Sequence, residues 1–399
     1  MLVILVSGFL LFITVWLAAD YHLGQKKMIK SAPPSFPRRF GAVRIFTKGG
    51  ELFTDYFEEL KRAKDYIHVI FYILKEDALS KEFLEILVDK ARSGVEVRLL
   101  VDWAGGRALK KKTITTLKEE GIKFAFTHKP TLPYLFFTLQ SRNHRKITII
   151  DGKLGYLGGY NVGNEYIGGN PKLAPWRDYH LKLYGESIQD LQQVFLDDWK
   201  NDTGEDLRNV PLYQRKNGKG PALHQLVPTL AGTTLEDMYL ETFERAKERI
   251  IIGTPYFIPS KKLFYSLQNC LERGVALSII VPGNSDHPLV KEAAYPYFRV
   301  LIKKGARVYQ FMNGFYHAKT LLIDQTVCDI GTANFDKRSL FLNSEINCYM
   351  YSQEQILEAE SIIQADIASS RELELAWLET RDFGRSVKEL AGRVISPFL

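Results

Sequence analysis

The first residues of the chain form a long uncharged apolar run. Residues 1–19 carry no charged side chain and only two polar ones. Nineteen residues is about the length that a helix needs to cross a bilayer. Asp20 ends the run. Basic side chains follow at Lys26, Lys27, Lys30, Arg38 and Arg39. This pattern predicts a transmembrane anchor over residues 1–20 and a basic linker over residues 21–40.

The position of the positive charges predicts the orientation of that anchor. Basic residues flanking an apolar span remain in the cytoplasm. Here they lie after the run, so we expect a single-pass protein of the cell membrane with a cytoplasmic catalytic body. A cleaved signal peptide is the alternative, but such a peptide carries basic residues before its apolar run, and this chain has none there.

Downstream, apolar residues alternate between helical spacing and unbroken runs. Four elements are expected in the first half: a helix at 51–64, a strand at 66–73, a helix at 79–93 and a strand at 95–103. A strand, a helix and a strand in this order form a βαβ unit with parallel strands. The order recurs in the second half: 250–258, 261–273 and 275–281. The pattern therefore predicts an α/β protein whose two halves are related by duplication.

The same duplication is visible in a motif of polar residues. Five residues of the first half define it: His144, Lys146, Asp151, Gly158 and Asn161. All five recur 173 residues later: His317, Lys319, Asp324, Gly331 and Asn334. Five fixed residue types match by chance about once in a few million windows, so two matches in one chain are not coincidental. A repeat kept only for packing would preserve apolar positions, whereas this one preserves His, Lys and Asn.

The spacing of the motif indicates how its side chains are arranged. Residues 147–150 are rich in β-branched side chains and are typical of a strand. Because side chains at i and i+2 share one face of a strand, His144 and Lys146 point the same way, and so do His317 and Lys319. If the halves face each other, two histidines and two lysines therefore converge on one cleft.

The aspartates of the motif stand at an odd spacing from their histidines. Asp151 and Gly152 form a dipeptide that favours a hairpin turn, so the chain is expected to double back after it. We expect Asp151 and Asp324 to hold that turn rather than to take part in the chemistry.

A cleft with two histidines and two lysines suits a phosphodiester. The lysines neutralise the non-bridging oxygens, one imidazole attacks phosphorus, and the other protonates the leaving alkoxide. This chemistry requires no metal and no cofactor, and no cluster of Cys, His and carboxylates has metal-ligand spacing in the sequence.

With these residues in place, the chain resembles the phospholipase D superfamily, whose signature is this doubled His-x-Lys motif. Within the superfamily it is similar to the bacterial cardiolipin synthases. Further segments carry that resemblance: 160–161, 175–178, 254–259, 282–290 and 331–339. It implies an α/β fold of two pseudo-repeated phospholipase D-type domains, each a mixed β-sheet flanked by helices, after one transmembrane helix. A polar, glycine-containing linker at 206–220 separates the domains, at 41–205 and 221–399.

The resemblance also implies roles for individual residues. The catalytic set comprises His144, Lys146, Asp151, His317, Lys319 and Asp324. Asp178 and Glu345 would orient the two histidines, although a carboxylate at the start of a strand can equally be a surface residue. Asn161 and Asn334 would bind phosphate, although asparagine also favours helix N-caps. Many family members carry Ser where this chain has Gly159, which removes one phosphate donor, whereas Thr332 keeps a hydroxyl in the second half.

Composition and charge bear on the partner. The net charge is +7 and the pI is about 9.0, which favours an anionic partner such as nucleic acid or an acidic membrane surface. A generic basic surface is the alternative. The three cysteines are scattered, which argues against a disulfide framework and suits a reducing compartment. The anchor favours lipid. The resemblance implies that the partners are phosphatidylglycerol and anionic membrane lipid, and nucleic acid is not expected.

Two apolar segments leave alternatives open. Residues 130–139 lie just before His144 and are too short to span a bilayer. They form either a core strand or an apolar lip that dips into the bilayer beside the active site. Residues 387–399 are amphipathic and either cap the core or touch the membrane.

Together these features predict a membrane-bound cardiolipin synthase. It would move a phosphatidyl group from one phosphatidylglycerol to another through a phosphohistidine and release glycerol. The alternative is a phosphodiesterase of the same fold that hydrolyses phospholipid or nucleic acid. A lipid-binding protein with an inactive site is a third hypothesis, against which both intact motifs argue.

Overall fold

The computed structural model describes residues 1–29, 35–230, 235–287 and 289–396. The chain begins with one long helix, α1 (Leu2–Ile29). Within it, Leu5–Lys27 is long and apolar enough to cross a membrane and makes few contacts with the rest of the protein. The helix continues past Asp20, so the first part of the predicted linker is helical, with Lys26 and Lys27 at the negative end of the helix dipole. Residues 30–34 of that linker lie outside the described residues.

Strands and helices alternate in the first half of the body. Its strands are β1 (Arg39–Lys48), β2 (Tyr66–Phe71), β3 (Glu96–Asp102), β4 (Lys123–Thr127), β5 (Ile147–Ile150), β6 (Leu154–Gly158) and β7 (Trp176–Gly185). Its helices are α2 (Gly49–Arg62), α3 (Ala78–Arg92), α4 (Lys111–Glu119), α5 (Leu135–Gln140) and α6 (Ile188–Thr203). The βαβ unit that the hydrophobic pattern predicted is β2, α3 and β3, and its strands pair in parallel.

The second half repeats this order and adds helices at its end. Its strands are β8 (Ala222–Thr229), β9 (Arg249–Gly253), β10 (Phe257–Ile258), β11 (Ala276–Pro282), β12 (Arg307–Phe311), β13 (Phe315–Tyr316), β14 (Thr320–Ile323), β15 (Val327–Gly331), β16 (Phe335–Asp336), β17 (Glu345–Met350) and β18 (Ser370–Glu372). Its helices are α7 (Leu235–Arg245), α8 (Lys261–Glu272), α9 (Val290–Lys303), α10 (Lys337–Phe341), α11 (Gln353–Ala368), α12 (Leu375–Glu379) and α13 (Phe383–Ile395).

The strands of both halves join into one continuous sheet of 16 strands. The order is β4-β3-β2-β5-β6-β7-β1 in the first half and β12-β11-β9-β14-β15-β17-β8 in the second. Parallel pairing of β2, β3 and β4 is combined with antiparallel pairing of β5, β6 and β7, so the sheet is mixed, as predicted. The halves meet where β1 and β8 pair antiparallel, with Phe40 opposite Leu223. The order is reversed across this junction, as a two-fold relation between the halves requires.

Short segments of each half also reach across to the other half. β13 pairs in parallel with the start of β7, at Trp176 and Arg177. Asn143 forms the equivalent parallel bridge with Ser344, next to the start of β17. These two contacts place each motif histidine beside the first residues of a strand that belongs to the opposite half.

Helices cover both faces of the sheet. Side chains of β2 alternate between two cores: Tyr66 and Ile70 face the core formed with α6 and α11, while Ile67 and Val69 face α2 and α3. A third core lies between α7, α8, α9 and the strands of the second half. The core on the α6 and α11 face contains residues of both halves, so it stabilises their mutual arrangement as well as each half.

Residues 130–139 do not form the core strand that one interpretation predicted. They lead into the short helix α5, in which Phe137 is buried and Leu139 is 41% exposed. Leu132, which precedes the helix, is 81% exposed. The helix packs against the end of α1, where the Asp20 carboxylate accepts a 2.8 Å hydrogen bond from the backbone N–H of Phe137. A helix with one buried ring can expose its leucines on the opposite side, whereas a core strand would have buried them.

One further prediction needs correction. The strand expected at 250–258 is broken, because Pro255 cannot donate a ladder hydrogen bond; β9 ends at Gly253 and β10 pairs with β16 in a separate small sheet. The segment predicted as the linker, 206–220, contacts the first half. The buried Arg98 donates a 2.7 Å hydrogen bond to the hydroxyl of Tyr213 in this segment.

Candidate active site

The two motif histidines lie in equivalent loops just before β5 and β14. The backbone N–H of His144 donates a 2.9 Å hydrogen bond to the carbonyl of Ser344, and that of His317 donates a 2.7 Å hydrogen bond to the carbonyl of Arg177. Both acceptors belong to the opposite half. Both histidines line one cleft of about 440 Å³, so the convergence expected from the duplicated motif is present in the structure.

Each imidazole is paired with a carboxylate from the opposite half. The Nδ1 atom of His144 lies 2.9 Å from a carboxylate oxygen of Glu345, and Nδ1 of His317 lies 2.6 Å from one of Asp178. All four side chains are buried. A carboxylate beside Nδ1 favours the tautomer with the proton on that nitrogen, which leaves the lone pair of Nε2 available. The family resemblance indicated the two acidic residues but did not reveal that each lies beside the histidine of the opposite half.

Glu345 has a larger set of hydrogen-bond donors than Asp178. The hydroxyl of Thr332 donates to it at 2.7 Å, the hydroxyl of Ser339 at 2.9 Å and the amide of Asn343 at 3.2 Å. The hydroxyl of Thr332 was expected to be available to phosphate. It is instead fully buried and directed at the carboxylate, so it stabilises the negative charge beside His144.

The two motif lysines are buried beside the histidines. The ammonium of Lys146 donates a 2.7 Å hydrogen bond to the carbonyl of His144. That of Lys319 lies 2.5 Å from Nδ1 of His317 and 3.4 Å from the carboxylate of Asp178. Each ammonium therefore lies beside the histidine of its own motif, where its charge can act on an anion in the cleft.

Burial changes the protonation of these groups. Desolvation lowers the pKa of Lys146 to about 7, and it lowers that of His317 to about 4, assisted by the charge of Lys319. The pKa of His144 is lowered as well, chiefly by burial and against the charge of Glu345. Burial is the largest influence on the pKa of Glu345 and would raise it, but the lowering effects of His144, Lys146 and the hydroxyl of Thr332 together exceed it and the net shift is downward. At neutral pH the site therefore holds neutral imidazoles beside ionised carboxylates.

The motif aspartates lie at the far end of the hairpins. The carboxylate of Asp151 accepts hydrogen bonds from the backbone N–H groups of residues 64–66, and that of Asp324 accepts them from residues 247–249. Both residues adopt positive φ, 54° and 49°, at the turn between paired strands. These bonds tie each hairpin to the start of a neighbouring strand.

The motif asparagines lie in the wall of the cleft. The amide of Asn161 accepts a 3.0 Å hydrogen bond from the N–H of Ile73 and donates one of 3.0 Å to the hydroxyl of Tyr166. The amide of Asn334 donates at 3.1 Å to the carboxylate of Asp336, which is itself the N-cap of α10. The alternative that Asn334 caps a helix is therefore wrong.

Several further residues line the cleft that the motif search did not single out. The hydroxyl of Tyr256 donates a 2.6 Å hydrogen bond to the carboxylate of Asp286 at the cleft wall. Arg142 and Arg338 add positive charge from the two halves. Tyr256, Asp286 and Arg338 belong to segments that carried the family resemblance, so that resemblance was the available signal.

Comparison with known proteins agrees with the family resemblance of the duplicated motif. The model of the family described as cardiolipin synthase, PLD-like domain, matches residues 56–199 and 239–367. The chain is 40% identical over 381 residues to the minor cardiolipin synthase ClsB of Bacillus subtilis, covering 95% of each chain. It is 36% identical over 363 residues to the major cardiolipin synthase ClsA of the same organism, covering 90% of this chain and 75% of that one.

Solved structures support the fold. The phosphatidylserine synthase of Haemophilus influenzae superposes with a TM-score of 0.73 at 16% identity, over 94% of this chain and 100% of that one. The polyphosphate kinase of Porphyromonas gingivalis superposes with a TM-score of 0.57 at 14% identity, over 81% of this chain and 46% of that one. With its duplicated motif, its shared cleft and matches over most of its length, this chain belongs to the cardiolipin synthase family of phospholipase D-like proteins.

Proposed function

We propose that this protein is a membrane-bound cardiolipin synthase that transfers a phosphatidyl group between two phosphatidylglycerol molecules. The observation that supports this most strongly is the pair of histidines in one cleft, each held by a carboxylate of the opposite half. One histidine alone could cleave a phosphodiester only with another acid. Two equivalent histidines provide a nucleophile and an acid in one site.

The first chemical step forms a phosphohistidine. The lone pair of Nε2 of His144 attacks phosphorus of the first phosphatidylglycerol, and the bond from phosphorus to the headgroup glycerol oxygen breaks. His317 donates its proton to that oxygen, so free glycerol leaves. The anionic substrate raises the pKa of nearby imidazoles, which allows His317 to carry this proton although burial lowers its pKa. The choice of His144 as nucleophile follows the family resemblance.

The second step reverses the roles. Neutral His317 removes the proton from a headgroup hydroxyl of a second phosphatidylglycerol, and the oxygen attacks the phosphohistidine. The bond between phosphorus and His144 breaks, and cardiolipin is released with both histidines restored. The positive charges of Lys146 and Lys319 stabilise the charge that develops on the non-bridging oxygens in both steps. No metal or cofactor takes part in this scheme.

The other predicted residues divide into two groups. We assign Glu345 and Asp178 to orienting the histidines, because each accepts from Nδ1. We assign Asn161 and Asn334 to phosphate binding. A phosphate in the cleft would compete with Tyr166 and Asp336 for the hydrogen bonds that the two amides now donate. Asp151 and Asp324, which the resemblance placed in the catalytic set, are assigned to the hairpin turns.

The proposed location is the cytoplasmic face of the membrane. α1 serves as the single transmembrane anchor, and the basic residues that follow it keep the body in the cytoplasm. The exposed leucines of the 130–139 segment form an apolar lip that meets the bilayer. An acceptor delivered from the bilayer would then be favoured over water in the second step.

Product analysis tests the reaction class. Purified protein given phosphatidylglycerol in mixed micelles should release glycerol and cardiolipin together, with little phosphatidic acid. A denaturing quench at alkaline pH during turnover should leave the phosphatidyl phosphorus on the peptide that contains His144, and a His144→Ala variant serves as the control that lacks this peptide signal. Mainly phosphatidic acid would identify a hydrolase, and phosphorus on the peptide with His317 would reverse the two roles.

A further inference from the structure

The C-terminal helix α13 is fastened to the body by charged side chains. The carboxylate of Glu389 pairs with the guanidinium of Arg299 on α9 at 2.6 Å, and Arg385 donates a 2.9 Å hydrogen bond to the carbonyl of Trp377. Gly392 lies so close to α9 that a Cβ would be 3.0 Å from the carbonyl of Leu289. The face of α13 that meets the protein is therefore largely polar.

The opposite face of the same helix is apolar and exposed. Phe383, Val387 and Leu390 are 85%, 51% and 64% exposed. At about 100° per residue these three side chains fall within roughly 60° of one another, and they lie opposite Arg385 and Glu389. Single exposed apolar residues are common on proteins, but a contiguous apolar stripe along one helix marks an interaction surface.

This arrangement inverts the usual amphipathic helix. A helix on a globular protein directs its apolar stripe at the core and its charges at water. Here the ion pairs are turned inward and the apolar stripe outward, with the exposed basic residues Lys388 and Arg393 flanking it on either side. Apolar residues bordered by lysine and arginine are the composition of helices that lie in the interface of an anionic membrane.

A chain of contacts connects α13 to the anchor helix. The ammonium of Lys337 on α10 donates a 3.1 Å hydrogen bond to the hydroxyl of Ser396, at the end of α13. The next residue, Arg338, donates a 2.7 Å hydrogen bond to the carbonyl of Gln140 at the end of α5. α5 in turn packs on α1 through Asp20. α13 and α5 are therefore linked through α10, whose neighbouring residues Asp336 and Arg338 line the cleft, and α5 contacts the anchor helix.

We propose that the apolar stripe of α13, defined by Phe383, Val387 and Leu390, lies in the surface of an anionic bilayer. The helix is thus a second membrane contact, separate from the anchor, and it holds the second half of the cleft against the lipid. Its charged inner face keeps it in register with α9, so it acts as a rigid part of the body. This inference does not depend on which phosphodiester the cleft processes.

Site-specific labelling of the full chain tests this. The native cysteines Cys270, Cys328 and Cys348 are free but completely buried, so an introduced surface cysteine can be labelled selectively in the folded protein. The variants V387C and L390C carry an environment-sensitive fluorophore on the stripe. Y265C carries it at a position that is also 64% exposed, but on α8, and is the matched control. Each variant is reconstituted into vesicles of phosphatidylcholine and phosphatidylglycerol.

Two readings decide the outcome. Labels at V387C and L390C should show blue-shifted emission and should be quenched severalfold more strongly than Y265C by lipids that carry a nitroxide on the acyl chain. Quenching no stronger than that of Y265C would overturn the proposal. A blue shift without lipid quenching would overturn it as well, because the stripe would then be covered by protein, such as a second copy of the chain.

The charge of the surface is tested with the same samples. Vesicles of phosphatidylcholine alone should quench the label at L390C less than vesicles containing phosphatidylglycerol, because Lys388 and Arg393 then lose their electrostatic attraction. Equal quenching in both would overturn the preference for anionic lipid.

Discussion

The two halves share one motif but support their histidines differently. Glu345, the partner of His144, also accepts hydrogen bonds from three neutral side-chain donors of its own half. Asp178, the partner of His317, is instead close to the ammonium of Lys319. The negative charge of Glu345 is therefore stabilised by neutral donors, whereas that of Asp178 is stabilised by an imidazole and by the ammonium of Lys319. The duplicated motifs thus place the two histidines in different electrostatic surroundings. This difference suits different roles for them in the reaction.

Part of this difference lies at one pair of equivalent positions. The first half has Gly159 where the second has Thr332. A Cβ at Gly159 would lie 2.0 Å from a carboxylate oxygen of Asp178, so no side chain fits there. Glutamate has one more methylene than aspartate, and beside Glu345 there is room for Thr332, which donates to the carboxylate. Aspartate at 178 therefore goes with glycine at 159, and glutamate at 345 goes with threonine at 332.

The largest effect is expected for the histidines themselves. His144→Ala and His317→Ala should each remove nearly all cardiolipin formation, a loss of at least about 10³-fold, and the double variant should be scarcely worse because the two act as one unit. Initial rates with phosphatidylglycerol micelles measure this. Half of the wild-type activity in either single variant would mean that the halves work as independent sites.

The carboxylates test whether the cross-domain pairs matter. Glu345→Gln and Asp178→Asn should each lower kcat by roughly 10²- to 10⁴-fold, because an amide does not hold the required tautomer or stabilise the imidazolium. Thermal unfolding of each variant controls for damage to the fold. Wild-type turnover in a folded Asp178→Asn variant would show that His317 does not depend on its partner from the first half.

The pH dependence of kcat/KM separates the histidines from the lysines. Because the pKa of His144 is lowered, this nucleophile stays neutral and the rate should not fall just below pH 6.5. Because His317 must carry a proton in the first step and its pKa is about 4, kcat/KM should instead rise toward acidic pH. Because the pKa of Lys146 is about 7, the decline of kcat/KM with rising pH should become steeper above that pH as the ammonium loses its charge. In Lys146→Arg the decline should move to higher pH. An unchanged profile in that variant would remove Lys146 from the pH dependence.

A smaller effect is expected at the position that distinguishes the halves. Thr332→Val removes one donor to Glu345 at nearly constant volume and should lower kcat by about 10-fold, since a hydrogen bond to a charged group contributes about 1.5–3 kcal/mol. Thr332→Ser keeps the hydroxyl and is the matched control. Equal rates for the Val and Ser variants would show that this donor does not affect the orientation of His144.

The smallest effect on turnover is expected at the turns. Asp151→Asn weakens several backbone hydrogen bonds to a carboxylate and should lower the free energy of unfolding by about 2 kcal/mol. Its kcat/KM per folded molecule should change far less than in the histidine variants. Asp324→Asn is the equivalent change in the second half. A loss of turnover without a loss of thermal stability would show that Asp151 takes part in the reaction.

Much of the fold was predictable because it depends on local patterns. β-branched runs and helical spacing placed β2, α3 and β3, and the Asp-Gly dipeptide placed the hairpin after β5. Predictions failed where a local pattern suited two structures. The apolar residues 130–139 suited a core strand as well as an exposed apolar lip. In the structure they include the helix α5, with Phe137 packed against α1 and Leu132 and Leu139 exposed.

The sequence by itself determined which polar residues are repeated between the halves, since a His, a Lys and an Asn at repeated spacing are recognisable without coordinates. Only the tertiary structure decided which carboxylate lies beside which histidine. His144 and Glu345 are 201 residues apart, and His317 and Asp178 are 139 apart. No local spacing encodes such pairs, because they form only when the sheet is continuous across β1 and β8 and the segments at Asn143 and Tyr316 cross to the opposite half.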